Sequence, residues 1–130
     1  MTVDEYLDQA RAELDRVDPA EAKRLQDEGA LLVDIRPIAN RAEEGEIPGS
    51  VPVERIHLEW RLDPASPNRL PEVDGATRII VLCNEGYASS LAARDLHRLG
   101  LDTATDLVGG FRGWAKAGLP VVSGGRPAVP

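Results

Sequence analysis

Read from its first residue, the chain passes between stretches of helical and of extended hydrophobic spacing. Val3, Tyr6, Leu7, Ala10, Leu14 and Val17 recur at helical intervals without Gly or Pro, and Thr2 with Glu5 forms a T-x-x-E capping box ahead of them. The pattern predicts an amphipathic helix. Its apolar stripe packs on the rest of the domain or, alternatively, is offered to a partner or a second copy. Asp18, Pro19 and Glu21 fit the N-cap, N1 and N3 positions of a second helix, which should stop at Gly29.

Two later runs are different in kind. A-L-L-V-D-I at residues 30–35 and R-I-I-V-L at 78–82 are almost wholly apolar, as expected of parallel strands covered on both faces. Between them the sequence predicts a short helix at 37–44, a brief strand at 51–53 and a helical turn at 56–62. That turn carries His57, Trp60 and Arg61, and Trp60 with Leu58 and Leu62 should dock it on the core. A proline-rich exposed loop follows at 63–71. After the second run, Leu91, Ala92, Leu96 and Leu99 mark a helix ending at Gly100. Residues 103–108 read as a strand, Gly109 and Gly110 as a turn, and 111–117 as a closing helix with Trp114 in the core. The tail at 123–130, with two glycines and two prolines, is expected to fray. Strands alternating with helices, without any repeat, predict an α/β domain built on an open parallel sheet.

Composition narrows the function classes. A chain of 130 residues that is 42% hydrophobic and 28% charged suits a single folded core and argues against disorder. Fifteen Lys and Arg against 22 Asp and Glu leave a net charge of −7 with no basic run, so nucleic acid is not an expected partner. No 18-residue apolar stretch occurs and the acidic start lacks the features of a signal peptide, which predicts a cytoplasmic chain without a membrane. His57 and His97 stand apart without ligand spacing, so no metal is expected. Asp102 and Asp106 read as solvated charges.

The single cysteine excludes an internal disulfide and any multi-cysteine metal site. Cys83 follows I-I-V-L directly and precedes a helix, the place where open α/β sheets present ligands. A helix N-terminus favours a thiolate there. The segment runs Cys83, Asn84, Glu85, Gly86, Tyr87, Ala88, Ser89, Ser90. Gly86 would let the backbone turn so that amides from Glu85 to Ser90 converge as an anion nest, while Ser89 and Ser90 add hydroxyls and cap the helix. On local pattern alone an inert, packed thiol is equally open.

Three segments in order resemble the rhodanese-like (sulfurtransferase) family over roughly residues 17–122. C-N-E-G-Y-A-S-S is similar to its C-x-x-G-x-R-S active-site loop. L-V-D-I-R at 32–36 with G-E-I-P-G-S at 45–50 resembles its first signature, and L-V-G-G-F-R-G-W-A-K-A-G-L-P-V at 107–121 its C-terminal one. The resemblance implies a rhodanese-like sheet of about five parallel strands with helices on both faces; outside it, the residue pattern adds an N-terminal amphipathic helix packed on the domain within 1–16 and a flexible tail at 123–130. The resemblance further implies that Cys83 is the nucleophile and that Asn84, Glu85, Gly86, Tyr87, Ala88, Ser89 and Ser90 form the persulfide-binding loop. Sulfur would come from a small sulfane donor or a persulfidated protein and leave to a thiol or cyanide-like acceptor, with no cofactor. Ala88 stands where many members carry Arg, and Glu85 adds a carboxylate, so thiosulfate use should be weak. Asp34 and Arg36 are expected to form a buried pair at the rim, and Arg61 is the candidate to supply the missing cation. Glu46 replaces a customary His, in a structural position. The alternative is a non-catalytic, protein-binding member. A phosphatase fits poorly, because it needs a loop Arg to grip the transferring group.

Overall fold

In the computed structural model, which describes residues 1–130, the two apolar runs become the centre of the sheet. Strands β1 (Leu31–Asp34), β2 (Val51–Pro52), β3 (Ile79–Leu82) and β4 (Thr105–Asp106) are all parallel, in the order β2-β1-β3-β4. Because successive side chains point to opposite faces, Val33, Ile79, Val81 and Cys83 enter one core layer with Leu58, Leu62, Ala92 and Leu96. Leu32, Ile80 and Leu82 enter the other, with Leu25, Phe111 and Trp114. Both layers are buried, which is why these strands read as continuous apolar runs.

Six helices accompany the sheet: α1 (Val3–Ala12), α2 (Pro19–Asp27), α3 (Ile38–Glu44), α4 (Leu58–Leu62), α5 (Ala88–Arg98) and α6 (Gly110–Lys116). A 3-10 turn, Arg55–His57, leads into α4. The expected caps form: the Thr2 hydroxyl accepts the Glu5 N–H at 3.1 Å, and the Asp18 carboxylate accepts the Glu21 N–H at 2.8 Å. No helix is long and apolar enough to cross a membrane.

The structure departs from the sequence reading at the margins of the sheet. There are four strands, not five, and 103–108 contracts to Thr105–Asp106 before the turn at Gly109. What would be a fifth strand is a single parallel bridge between Val17 and Leu107. That bridge also shortens α1, which ends at Ala12 because the chain beyond it is drawn onto the sheet: Val17 donates to Asp106 O, and Val108 donates to Val17 O. α1 packs on α5, burying Leu7 and Ala10 while Val3 and Tyr6 stay exposed. Leu58 and Leu62 dock the turn after residue 55, and Trp60 points outward, 60% exposed.

The C-terminal residues make specific contacts with the domain. Glu46 and Val122 exchange backbone hydrogen bonds, Val129 N–H donates to Pro52 O, and Arg126 closes on the buried Glu46 carboxylate at 2.6 Å. A carboxylate without solvent needs such a partner, and the tail supplies it. Burial would raise the Glu46 pKa, but the hydrogen bonds and charge of Arg126, with Arg41 behind it, outweigh burial and hold it below the usual glutamate value.

Candidate active site

Cys83 continues the buried face of β3 by one residue, so its sulfur emerges where the strand stops and the loop to α5 begins. The Gly86 N–H points at Sγ from 3.2 Å and the Ser89 N–H, in the first turn of α5, from 3.4 Å. Of the amides expected to converge, these two reach the sulfur, whereas the Ser90 N–H is spent on Tyr87 O. Gly86 has φ of +88°, and a side chain there would meet Gly109 N at 3.0 Å. The loop is therefore shaped by a glycine and aimed by a helix N-terminus, an arrangement that stabilises negative charge on sulfur.

Ser89 and Ser90 do not cap the helix. Both hydroxyls donate to Asp106 Oδ2 at 2.8 Å, and Ser89 Oγ also lies 3.3 Å from Cys83 Sγ. Asp106 is thus not a solvated charge. It is fully buried, and Arg16 grips it with Nε at 2.8 Å from Oδ1 and Nη2 at 3.1 Å from Oδ2. Arg16 Nη2 and Arg11 Nη2 also donate to Gly86 O, at 3.0 and 2.7 Å, so the N-terminal segment braces the loop from behind. Sequence reasoning missed all three residues. The signal for Asp106 was its place inside a predicted strand of a sheet covered on both faces; Arg11 and Arg16 fall between the apolar positions of the first predicted helix, where nothing in the sequence marks them.

Behind the start of the loop, the Phe111 N–H donates to Cys83 O at 2.8 Å and the Arg112 N–H to Asn84 O at 3.1 Å. Arg112 also takes Glu85 at 2.6 Å and Glu44 at 3.0 Å, so the loop carboxylate is paired with a cation. The hydrogen bond from Arg112 holds Glu44 below its usual value, against a smaller opposing effect of burial, and Glu44 in turn receives Asn84 Nδ2 at 3.0 Å. Asp34 and Arg36 form the expected buried pair, 2.7 Å apart, and Arg36 further donates to Gly45 O and lies over the Phe111 ring.

Cys83 opens into a cavity of about 480 Å³. Its walls are Ile35, Arg36, Pro37, Asn40 and Arg55 on one side and Asn84, Glu85, Tyr87 and Ala88 on the other. Arg61 is absent from this wall; its guanidinium donates to Asn68 O at 2.7 Å, tied down within its own loop. Two cations line the cavity, Arg36 and Arg55; Arg55, which the sequence did not single out, is shared between Asp95 and Glu59 at 2.7 and 2.8 Å. No group of three His, Cys, Asp or Glu side chains is gathered in a form that could hold a metal ion.

Comparison with known proteins agrees with this architecture. The sequence matches the family described as Rhodanese-like domain over residues 18–117. A thiosulfate sulfurtransferase GlpE of Actinobacillus pleuropneumoniae is 34% identical over 97 residues, covering 75% of this chain and 82% of the relative. A sulfurtransferase of Allochromatium vinosum is 34% identical over 103 residues, 78% of this chain and 88% of that one. Among solved structures, a protein of unknown function from Rhodopseudomonas palustris, described as a possible tyrosine phosphatase, superposes with a TM-score of 0.83. It is 31% identical, covering 94% of this chain and 95% of its own. The polysulfide-sulfur transferase homodimer of Wolinella succinogenes shares the fold, with a TM-score of 0.73 at 22% identity over 91% of this chain and 85% of that one. The cysteine loop, its parallel sheet and these relatives lead to one classification: the chain belongs to the rhodanese-like domain family.

Proposed function

We propose that this chain is a single-domain sulfurtransferase that moves sulfane sulfur through a persulfide on Cys83. The observation that carries the reading is the seat of the sulfur: two amide N–H groups within 3.4 Å of Sγ, at the floor of a cavity of about 480 Å³. The Cys83 thiolate attacks the outer sulfur of the donor. A new S–S bond forms at Cys83, the donor's S–S bond breaks, and its electron pair leaves with the departing group. A thiol or cyanide-like acceptor then attacks the outer sulfur, and the electron pair of the Cys83 S–S bond returns to the thiolate. Amides aimed at an anion before it forms lower the barrier to both steps.

The donor is a small sulfane compound or a persulfidated protein. Thiosulfate itself is a poor donor here, because the cavity has no uncommitted cation: Arg36 is bound to Asp34, and Arg55 to Asp95 and Glu59. The same fact weighs against phosphoryl transfer, the activity suggested for the Rhodopseudomonas protein, since that chemistry needs a bidentate guanidinium on the transferring group and Ala88 cannot provide one. The test is intact mass after exposure to inorganic polysulfide. Wild type should gain sulfur that cyanide removes, and Cys83→Ala should gain none. Failure of wild type to take up cyanide-labile sulfur from either polysulfide or an organic persulfide would overturn the proposal.

A further inference from the structure

Behind the sulfur lies a polar chain that the transfer mechanism does not use. It runs from Cys83 Sγ to Ser89 Oγ at 3.3 Å, on to Asp106 Oδ2 at 2.8 Å, and ends on Arg16. Ser89 and Asp106 are fully buried, so no water competes for these groups. The direction of the hydrogen bonds follows from the inventory of protons. A carboxylate only accepts, so the hydroxyls of both Ser89 and Ser90 must donate to Asp106. Each hydroxyl has one proton. Ser89 Oγ therefore faces Cys83 with lone pairs alone, a suitable acceptor for a thiol S–H and a poor neighbour for a thiolate.

We infer that Asp106 is a positioning residue that sets the proton on Cys83: by taking the Ser89 hydroxyl proton, it makes Ser89 Oγ an acceptor and holds the resting cysteine as a thiol. When the thiol gives up its proton to water through the open cavity, the Ser89 hydroxyl turns from Asp106 to the resulting thiolate, joining the N–H groups of Gly86 and Ser89. In the persulfide, the inner sulfur is uncharged and the negative charge lies on the outer sulfur, away from Asp106. Arg16 fixes Asp106 through both carboxylate oxygens. The other charges around the site are already partnered. Arg11 is bound to Gly86 O and Ser90, Glu85 to Arg112, Arg36 to Asp34, and Arg55 to Asp95 and Glu59. Arg11 and Arg16 lie outside the segment that matches the family.

This inference rests on Cys83 being the reacting thiol, and its test uses no sulfur donor, so it stands or falls separately from sulfur loading. The first measurement is the rate of Cys83 alkylation against pH. In Asp106→Asn, the amide keeps its oxygen toward Arg16 and turns its N–H toward Ser89, freeing the hydroxyl proton for the sulfur. The alkylation midpoint should fall by about one pH unit, a tenfold gain in thiolate. In a Ser89→Ala background the same substitution should leave the midpoint where Ser89→Ala alone puts it. An equal fall in both backgrounds would mean that the Asp106 charge acts through space, and an unchanged or raised midpoint would mean that the hydroxyl is not held; either result overturns the inference. The second measurement needs no change at Asp106. The chain has one cysteine, so its infrared S–H band is unambiguous. At a pH that protonates the thiol, the wild-type band should lie below that of an unbonded thiol and rise in Ser89→Ala. A wild-type band already at the unbonded position refutes the assignment.

Discussion

Gly110 is the position where the backbone behind the cysteine has least room. Its φ is +61°, and a Cβ built there would lie 2.5 Å from Cys83 O and 2.6 Å from the Asn84 carbonyl carbon, both of them backbone atoms that no side-chain rotation can clear. Gly110→Ala therefore has two effects. The left-handed conformation costs roughly 1–2 kcal/mol for a residue with a Cβ. The clash also pushes α6 off the loop, weakening the bonds from the Phe111 and Arg112 N–H groups to Cys83 O and Asn84 O, worth about 0.5–1.5 kcal/mol each. The combined loss should be about 2–5 kcal/mol of unfolding free energy. Gly118 provides the control, for it has φ of +78° with nothing within 4 Å of the same added atom. Gly118→Ala should lose only the conformational part, about 1 kcal/mol. Urea unfolding of the two variants beside wild type gives the difference, and sulfur loading of Cys83 should fall in Gly110→Ala but not in Gly118→Ala. Equal stability losses in the two variants would refute the reasoning, because the close approach to the loop would then carry no energy.

Two further expectations concern charge. Glu46 titrates below the ordinary glutamate value of 4.5, so its contribution to stability is present above that pH and is lost as the pH falls through the depressed folded value. Glu46→Gln should lose about 2–3 kcal/mol at neutral pH, discounted from a fully buried pair because Arg126 is half exposed. Its stability should then fall less steeply than that of wild type as the pH drops below 4.5. An unchanged slope in acid unfolding would sink this account. The slope should shrink without vanishing, since Arg98 and Arg112 likewise lower Glu13 and Glu44. At the cavity mouth, Ala88→Arg adds the uncommitted cation that the site lacks and should raise kcat/KM with thiosulfate about tenfold, a gain of about 1.4 kcal/mol. Steady-state kinetics with thiosulfate showing no gain would mean that charge at the mouth does not limit this donor.

The parts of the molecule legible in the sequence are those whose causes are local. Thr2 and Asp18 announce their helices because a cap acts over three residues. The runs at 31–34 and 79–82 announce a covered parallel sheet because burial on both faces forbids alternation. Cys83 could be placed at a strand end before a Gly-bearing loop for the same reason, and Asp34 and Arg36 are only two residues apart. Arg61 failed as a substitute cation because a loop residue, Asn68, lies nearer than the cavity, and no periodicity in 55–62 reveals which way a side chain leaves the turn. The fifth strand failed because Val17 also completes the apolar spacing of α1, so one residue satisfied two patterns and only tertiary pairing chose between them.

The candidate site divides in the same way, between what faces the cavity and what lies behind it. Half of the residues that face the cavity come from one continuous segment, 83–88, and that half was readable. The support comes from residues whose contacts span 70 to 90 positions, such as Arg16 with Gly86 and with Asp106. Each of these looked like an ordinary surface charge, and a single charged residue carries no mark of its partner. Yet the support decides the chemistry. Arg11 and Arg16 anchor through its carbonyl the same Gly86 whose N–H faces the sulfur, and Arg112 pairs with the Glu85 carboxylate. The net charge of −7 makes this necessary, because the overall field opposes an anion on Cys83 and local dipoles must outweigh it. The cations around this loop, Arg11, Arg16 and Arg112, are spent on the backbone and carboxylates that shape the sulfur's seat, which is why the loop can lack an arginine and still present two amides to Cys83.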